Sequence, residues 1–133
     1  MADITNSLDA AMCLPGAIAV GLVDADSGRC IAGFGIERLD LDAAADGNTH
    51  VLRTQQETLR KMDMEDAVEE ILVTAESQVH IIRPVRLRRG GSGEESAGDL
   101  FLYLALDRER TNPGLTRFRL AEIAAEIAQE LVL

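Results

Sequence analysis

The sequence predicts one α/β domain of the α+β type, in which helices cover both faces of a single five-stranded, mainly antiparallel sheet. Short apolar runs come in pairs joined by turn residues, which is typical of β-hairpins. Segments with helical spacing stand before, between and after these pairs. The length of 133 residues suits one domain, so we assign 1–133 to it in the order α-β-β-α-β-β-β-α.

The first helix is predicted at 3–13. Its apolar residues repeat with the spacing of one helix face, at Ile4, Leu8, Ala11 and Met12. Asp3 is a suitable N-cap, and Pro15 followed by Gly16 ends the helix.

Two apolar runs, 17–23 and 29–35, predict the first hairpin. The segment between them begins with Asp24 and Asp26 and suggests a calcium loop. A loop of the EF-hand type needs a side-chain oxygen at position 5, glycine at position 6 and glutamate at position 12. Counted from Asp24, these positions hold glycine, arginine and glycine. We therefore interpret the segment as a turn, in which Gly28 takes a positive φ.

The longest periodic segment predicts the second helix. Its mostly apolar face consists of Leu41, Ala45, Asn48, Leu52, Gln55, Leu59 and Met62. A second stripe, about 110° around the helix, carries mainly small side chains, at Ala43, Gly47, Val51, Thr54 and Thr58. The quartet 46–49 has the composition of a turn, so a break in the helix is the alternative. The uninterrupted spacing across the quartet favours one helix.

The β-branched runs 68–74 and 78–87 predict the second hairpin, with its turn at 75–77. Pro84 is expected at a bulge, or where its missing N–H does no harm. The glycine- and serine-rich segment 88–99 predicts a flexible loop.

The run LFLYLALD at 100–107 is apolar on both faces, which predicts a central strand covered by helices on both sides. Asn112 as N-cap and Pro113 at the first helical position begin the last helix, predicted at 113–131. Its apolar stripe is Leu120, Ile123, Ala124, Ile127, Ala128 and Leu131.

Charge and composition disfavour several classes of partner. A net charge of −10 disfavours nucleic acid and anionic membranes, because both attract positive proteins. No apolar run is long enough for a membrane span, and the N-terminus lacks the features of a signal peptide. We expect a cytoplasmic protein in which Cys13 and Cys30 are reduced. Lys61 is the only lysine among 13 basic residues, which indicates a GC-rich bacterial genome.

No arrangement of residues in the sequence predicts catalysis. The P-loop and dinucleotide-binding glycine patterns are absent. His50 and His80 have no third ligand at zinc spacing, and no serine lies in a nucleophile elbow. We expect neither an enzyme nor a cofactor or metal site.

Four segments and the element order resemble the roadblock family, named for a dynein light chain and widespread in bacteria. The resemblance covers 3–131 and is carried by AAMCLPGAIAVGLVDADSGRCIA, DLDAAADGNTHVLR, VEEILVTAESQVHIIRPV and LFLYLALDRERTNPGLTRFRLAEIAAEI. The segment 88–99 is longer than expected for the family. The resemblance implies a non-enzymatic protein that forms homodimers or heterodimers and acts as a scaffold or regulator of small Ras-like GTPases.

The resemblance also implies a dimer in which the middle strands pair edge to edge and the second helices pack across the join. We predict its interface at Ala43, Gly47, Val51, Thr54, Thr58, Val68, Glu70 and Leu72. A glycine inside a helix costs about 1 kcal/mol relative to alanine, so the close approach of a second helix is expected at this stripe. The alternative function is a sensory module that binds a small molecule, as related mixed folds do.

Overall fold

The described residues form three helices and five strands in the predicted order, which confirms the α+β class. The structure is a computed structural model that describes residues 4–36, 39–88 and 95–131. The elements are α1 (Ile4–Met12), β1 (Ala17–Asp24), β2 (Arg29–Gly35), α2 (Leu41–Lys61), β3 (Ile71–Thr74), β4 (Gln78–Arg88), β5 (Glu95–Asp107) and α3 (Pro113–Glu130).

The strands form one sheet in the order β2-β1-β5-β4-β3, and all neighbouring strands are antiparallel. β5 lies in the centre, as its two-sided apolar character predicts. Its buried side chains alternate between the faces, with Phe101, Tyr103 and Ala105 on one and Leu102, Leu104 and Leu106 on the other.

Helices cover both faces of this sheet, so the protein has a core on each side. On one face α1 and α3 pack against the strands, with Leu8 and Leu120 fully buried. On the other face α2 packs against them through Ala45 and Leu52. Burying one leucine side chain contributes roughly 2 kcal/mol, so these contacts fix the helices to the sheet.

α2 runs without a break through the quartet 46–49. Asp40 caps its start, where the carboxylate accepts a hydrogen bond from the Ala43 N–H at 3.0 Å. Asn48 Nδ2 donates to the carbonyl four residues earlier at 2.8 Å, and Thr49 Oγ1 does so at 2.7 Å. Side chains that suit a turn are thus used inside the helix, and the prediction of one helix is confirmed.

β3 begins at Ile71, so the prediction that the strand starts at 68 is wrong. Pro84 in β4 lies beyond the last residue pair of β3 and β4, which joins Ile71 to Ile82. Its missing N–H therefore leaves no β3 carbonyl without a partner, as expected for a proline that does no harm.

A second difference from the sequence prediction lies between β4 and β5. β4 continues to Arg88 and β5 begins at Glu95, and these two residues are paired. Strand pairing thus takes up both ends of the segment 88–99 that the sequence predicts as a loop. Residues 89–94 lie outside the described part of the chain.

Glycines allow α2 to approach the β1–β2 side of the sheet closely. A Cβ built on Gly33 would lie 2.6 Å from the Val20 carbonyl oxygen and 3.1 Å from Leu41 Cδ1. A Cβ on Gly21 would lie 3.6 Å from Leu41 Cδ2. Leu41, the first residue of α2, therefore occupies space that larger strand residues would fill.

Candidate functional site

β3 forms one edge of the sheet, and β4 is its partner among the described strands. Leu72 pairs with Ile81 and points to the α3 side, whereas Val73 pairs with His80 and points to the α2 side. Leu72 is 42% exposed and Val73 is 41% exposed. This edge therefore offers apolar side chains on both faces and backbone N–H and C=O groups that a further strand can bind.

The small-residue stripe of α2 lies outside the core that α2 forms with the sheet. All five of its members are exposed: Ala43, Gly47, Val51, Thr54 and Thr58. Within the described part of the chain, a Cβ built on Gly47 meets no atom within 4 Å. Gly47 also lacks the positive φ that Gly16 and Gly28 have. Neither packing inside the chain nor backbone conformation thus requires glycine at 47.

Val68 and Glu70, also predicted for the interface, have contacts within the chain. Val68 is 7% exposed and packs in the core on the α2 side. The Glu70 carboxylate contacts the guanidinium groups of Arg83, at 3.4 Å, and of Arg117 in α3. Residues two apart in an extended strand point to the same face, but Val68 and Glu70 point to opposite faces. The chain is therefore not a regular strand here, which explains why β3 begins later than predicted.

A groove of about 610 Å³ lies beside the start of β3. Gln55 and Leu59 of α2 line it on one side, residues 68–72 run along it, and Arg83 and Arg117 complete the lining. Both arginines contact the single carboxylate of Glu70, which offsets part of their positive charge within the chain.

β2 forms the opposite edge of the sheet and contains a β-bulge. The register shifts between Leu22 and Val23 of β1, which leaves Ile31 without an opposite residue. Ile31 is 58% exposed, and Phe34 is 37% exposed. This edge is therefore apolar but irregular.

The segment that suggests a calcium loop in the sequence is a turn, and its tip contacts α2. The Asp26 N–H donates to Asp24 Oδ1 at 2.9 Å, and Gly28 has a φ of 76°. Arg53 of α2 donates to the Asp26 carbonyl at 2.8 Å. In the described residues, no three His, Cys, Asp or Glu side chains are placed to hold a metal ion.

His80 and Tyr103 form a polar pair between β4 and β5. The Tyr103 hydroxyl donates to His80 Nδ1 at 3.2 Å, and His80 Nε2 donates to Gln78 Oε1 at 2.7 Å. The two rings meet edge to face, with centroids 5.3 Å apart. Burial lowers the pKa of His80 and raises the pKa of Tyr103 to about 12. Both groups are therefore neutral near pH 7 and serve to connect the strands.

Among the described residues, no helix has the length and apolar character needed to cross a membrane. Cys13 and Cys30 are free thiols, of which Cys13 is exposed and Cys30 half-buried. Burial, together with the charge of Asp42, raises the pKa of Cys30, so this thiol is not activated as a nucleophile.

Comparison with known proteins relates this architecture to solved structures. No protein-family model and no curated protein matches the chain. The structure is similar to Myxococcus xanthus MglB, with a TM-score of 0.77 and 18% identity over 96% of this chain and 93% of that one. It is also similar to a Roadblock/LC7 domain from Streptomyces avermitilis, with a TM-score of 0.77 and 14% identity over 98% of each chain. The chain has the roadblock fold.

A third structure with this roadblock architecture is described as MglB with a tetrameric arrangement. Its TM-score is 0.70, with 21% identity over 96% of this chain and 88% of that one. The resemblance seen in the sequence is thus confirmed for the fold. In this roadblock-fold chain the β3 edge and the α2 stripe, which the described residues leave uncovered, form the candidate interaction surface.

Proposed function

We propose that this roadblock-fold chain is a non-enzymatic homodimer that serves as a scaffold or regulator of a small Ras-like GTPase or a related signalling protein. One observation carries the proposal. An edge strand that is free to pair and a helix stripe of exposed small residues occur together, and the described chain covers neither of them. The GTPase role is what the resemblance to roadblock proteins implies.

The proposed interface joins β3 of one copy to β3 of a second copy and packs the two α2 helices across the join. Pairing satisfies the N–H and C=O groups of the edge, and small side chains allow the helix backbones to approach. A two-fold axis makes every contact occur twice. The interface residues are Ala43, Gly47, Val51, Thr54, Thr58 and Leu72, while Val68 and Glu70 support the strand from within the chain.

Gly47→Leu tests this interface. The leucine side chain enters open space in a single chain but a filled space in the proposed dimer. Overpacking costs about 1–3 kcal/mol, so we expect the dimer dissociation constant to rise about 10- to 100-fold. Sedimentation velocity over a series of protein concentrations measures this constant.

Glu126→Leu is the matched control, because it adds a leucine to the exposed face of α3 on the other side of the sheet. We expect it to dimerise like the wild type. A Gly47→Leu protein that dimerises as tightly as the wild type excludes the α2 stripe from the interface.

Capture of partners with the tagged wild type, followed by mass spectrometry, tests the GTPase role. Enrichment of a protein with a P-loop supports the proposal, particularly if Gly47→Leu loses it and Glu126→Leu retains it. Native mass spectrometry of the same preparation tests the alternative, because a bound small molecule favours the sensory module.

A further inference from the structure

The start of β3 is held by two side chains that point to opposite sides of the sheet. β3 pairs with β4 through only four residues, and residues 64–70 before it form no helix or strand. Of these, Val68 packs in the core on the α2 side, and Glu70 reaches the α3 side. An edge strand this short depends on such anchors, because its own backbone pairing is limited.

Glu70 connects the segment before β3 to β4 and to α3. Its side chain is 14% exposed, and each carboxylate oxygen has its own arginine. Oε2 lies 3.4 Å from Arg83 Nη1 on β4, and Oε1 accepts from Arg117 Nε on α3. A carboxylate so far removed from water requires charged partners, so the arrangement fixes the chain just before β3.

We infer that Glu70 is a positioning residue, which with Arg117 holds the start of β3 where the strand of a second copy is added. The inference rests on the proposed homodimer and deepens it. A frayed edge strand must be ordered when the dimer forms, and this lost entropy lowers affinity. The Glu70 contacts order the strand beforehand. Glu70 therefore acts on the interface from within its own chain and does not contact the second copy.

A double-mutant cycle tests the inference, with Glu70→Gln, Arg117→Gln and the two combined. Each single change is expected to raise the dimer dissociation constant about tenfold, since residues of one ion-pair network are coupled. The combined change is expected to cost less than the sum of the two single changes, because either one breaks the Glu70–Arg117 contact, whereas only Glu70→Gln also removes the charge that faces Arg83. Arg117→Gln retains the contact of Arg83 with Glu70, so it tests the inference even if Glu70→Gln fails to fold.

Arg119→Gln is the matched control. Arg119 lies on the same helix as Arg117, but its ion pair, at 2.9 Å, is with Glu122 of that helix. Its loss is expected to leave the dimer dissociation constant unchanged.

Hydrogen exchange in dilute, monomeric protein gives a second measurement. The amides of residues 71–74 are expected to exchange faster in Glu70→Gln and Arg117→Gln than in the wild type. The amides of β2 are expected to keep their rates. General destabilisation would instead increase exchange at both edges.

Three results overturn the inference: unchanged dimerisation of both single variants, additive losses in the combined variant, or unchanged exchange at 71–74. A wild type that stays monomeric at every concentration refutes the proposed homodimer. Hydrogen exchange at residues 71–74 then decides separately whether Glu70 holds β3. Faster exchange in the two single variants supports this role, and unchanged exchange refutes it.

Discussion

The two edges of the sheet are exposed to different extents and built differently. β2 has seven residues, and the extra residue Ile31 interrupts its register. β3 has four residues and pairs in an unbroken register. Although Ile31 is more exposed than Leu72 or Val73, the bulge at β2 disturbs the spacing of the outward backbone groups. A regular backbone register, more than exposed apolar area, therefore distinguishes an edge that can pair with the strand of a second copy.

The edges also differ in how they are fastened. β2 lies under α2, whose Leu41 fits over Gly33, and the turn that begins β2 is bound by Arg53. β3 is fastened by Val68 and Glu70, which leave its outer side open. A change at β2 should therefore affect the fold, and a change at β3 should affect assembly.

The largest expected effect comes from lysines on the β3 edge. The double variant Leu72→Lys, Val73→Lys is expected to raise the dimer dissociation constant on the order of 100-fold. A two-fold axis brings like charges from the two copies together, which opposes pairing. Light scattering after size-exclusion chromatography measures the loss of dimer.

The matched variant Ile31→Lys, Phe34→Lys places two lysines on the β2 edge. We expect the dimer dissociation constant to remain near that of the wild type. Equal losses from the two edges would contradict the assignment of pairing to β3.

A smaller effect is expected from adding a methyl group at Gly33. Gly33→Ala places a Cβ 2.6 Å from the Val20 carbonyl oxygen, so the backbone must shift. We expect the free energy of unfolding to fall by about 1–3 kcal/mol in urea titrations of dilute protein. Gly47→Ala is the comparison. It is expected to raise the free energy of unfolding by up to about 1 kcal/mol, since alanine favours the helix. A Gly33→Ala protein as stable as the wild type would contradict the close approach of the Val20 carbonyl and of Leu41 to Gly33.

The smallest effect is expected from pH. His80 lies opposite Val73, and burial lowers its pKa, so the folded chain binds its proton less readily than the unfolded chain does. The stability due to neutral His80 is complete above pH of about 6.5, the ordinary histidine pKa, and is lost as the pH falls below it. Hydrogen exchange from pH 8 to pH 5, corrected for intrinsic rates, should show β3 loosening before β2. In His80→Gln this difference should disappear, and a wild type without it would contradict the prediction.

Patterns that lie within one element could be predicted from the sequence. The two-sided run at 100–107 indicates the central position of β5, and the spacing from Leu41 onward indicates one long helix despite the quartet 46–49. Both follow from the periodicity of burial, which sequence shows directly.

Features that depend on distant residues could not be predicted. The sequence predicts Glu70 in a strand because its β-branched neighbours favour one, but its partners Arg83 and Arg117 are 13 and 47 residues away. The side chains of Val68 and Glu70 point to opposite faces, so the chain is irregular between them, and β3 starts at Ile71. The extension of β5 back to Glu95 depends on pairing with Arg88, which overrides the local glycine and serine content.

The bulge at Ile31 also bears on how large an assembly this chain can build. A protein with two regular edges adds copies at both ends and grows into a fibre. In the proposed homodimer, the interrupted β2 edge would stop strand addition once two copies have joined through β3. One additional residue in β2 would thus limit growth of the proposed assembly to a closed pair.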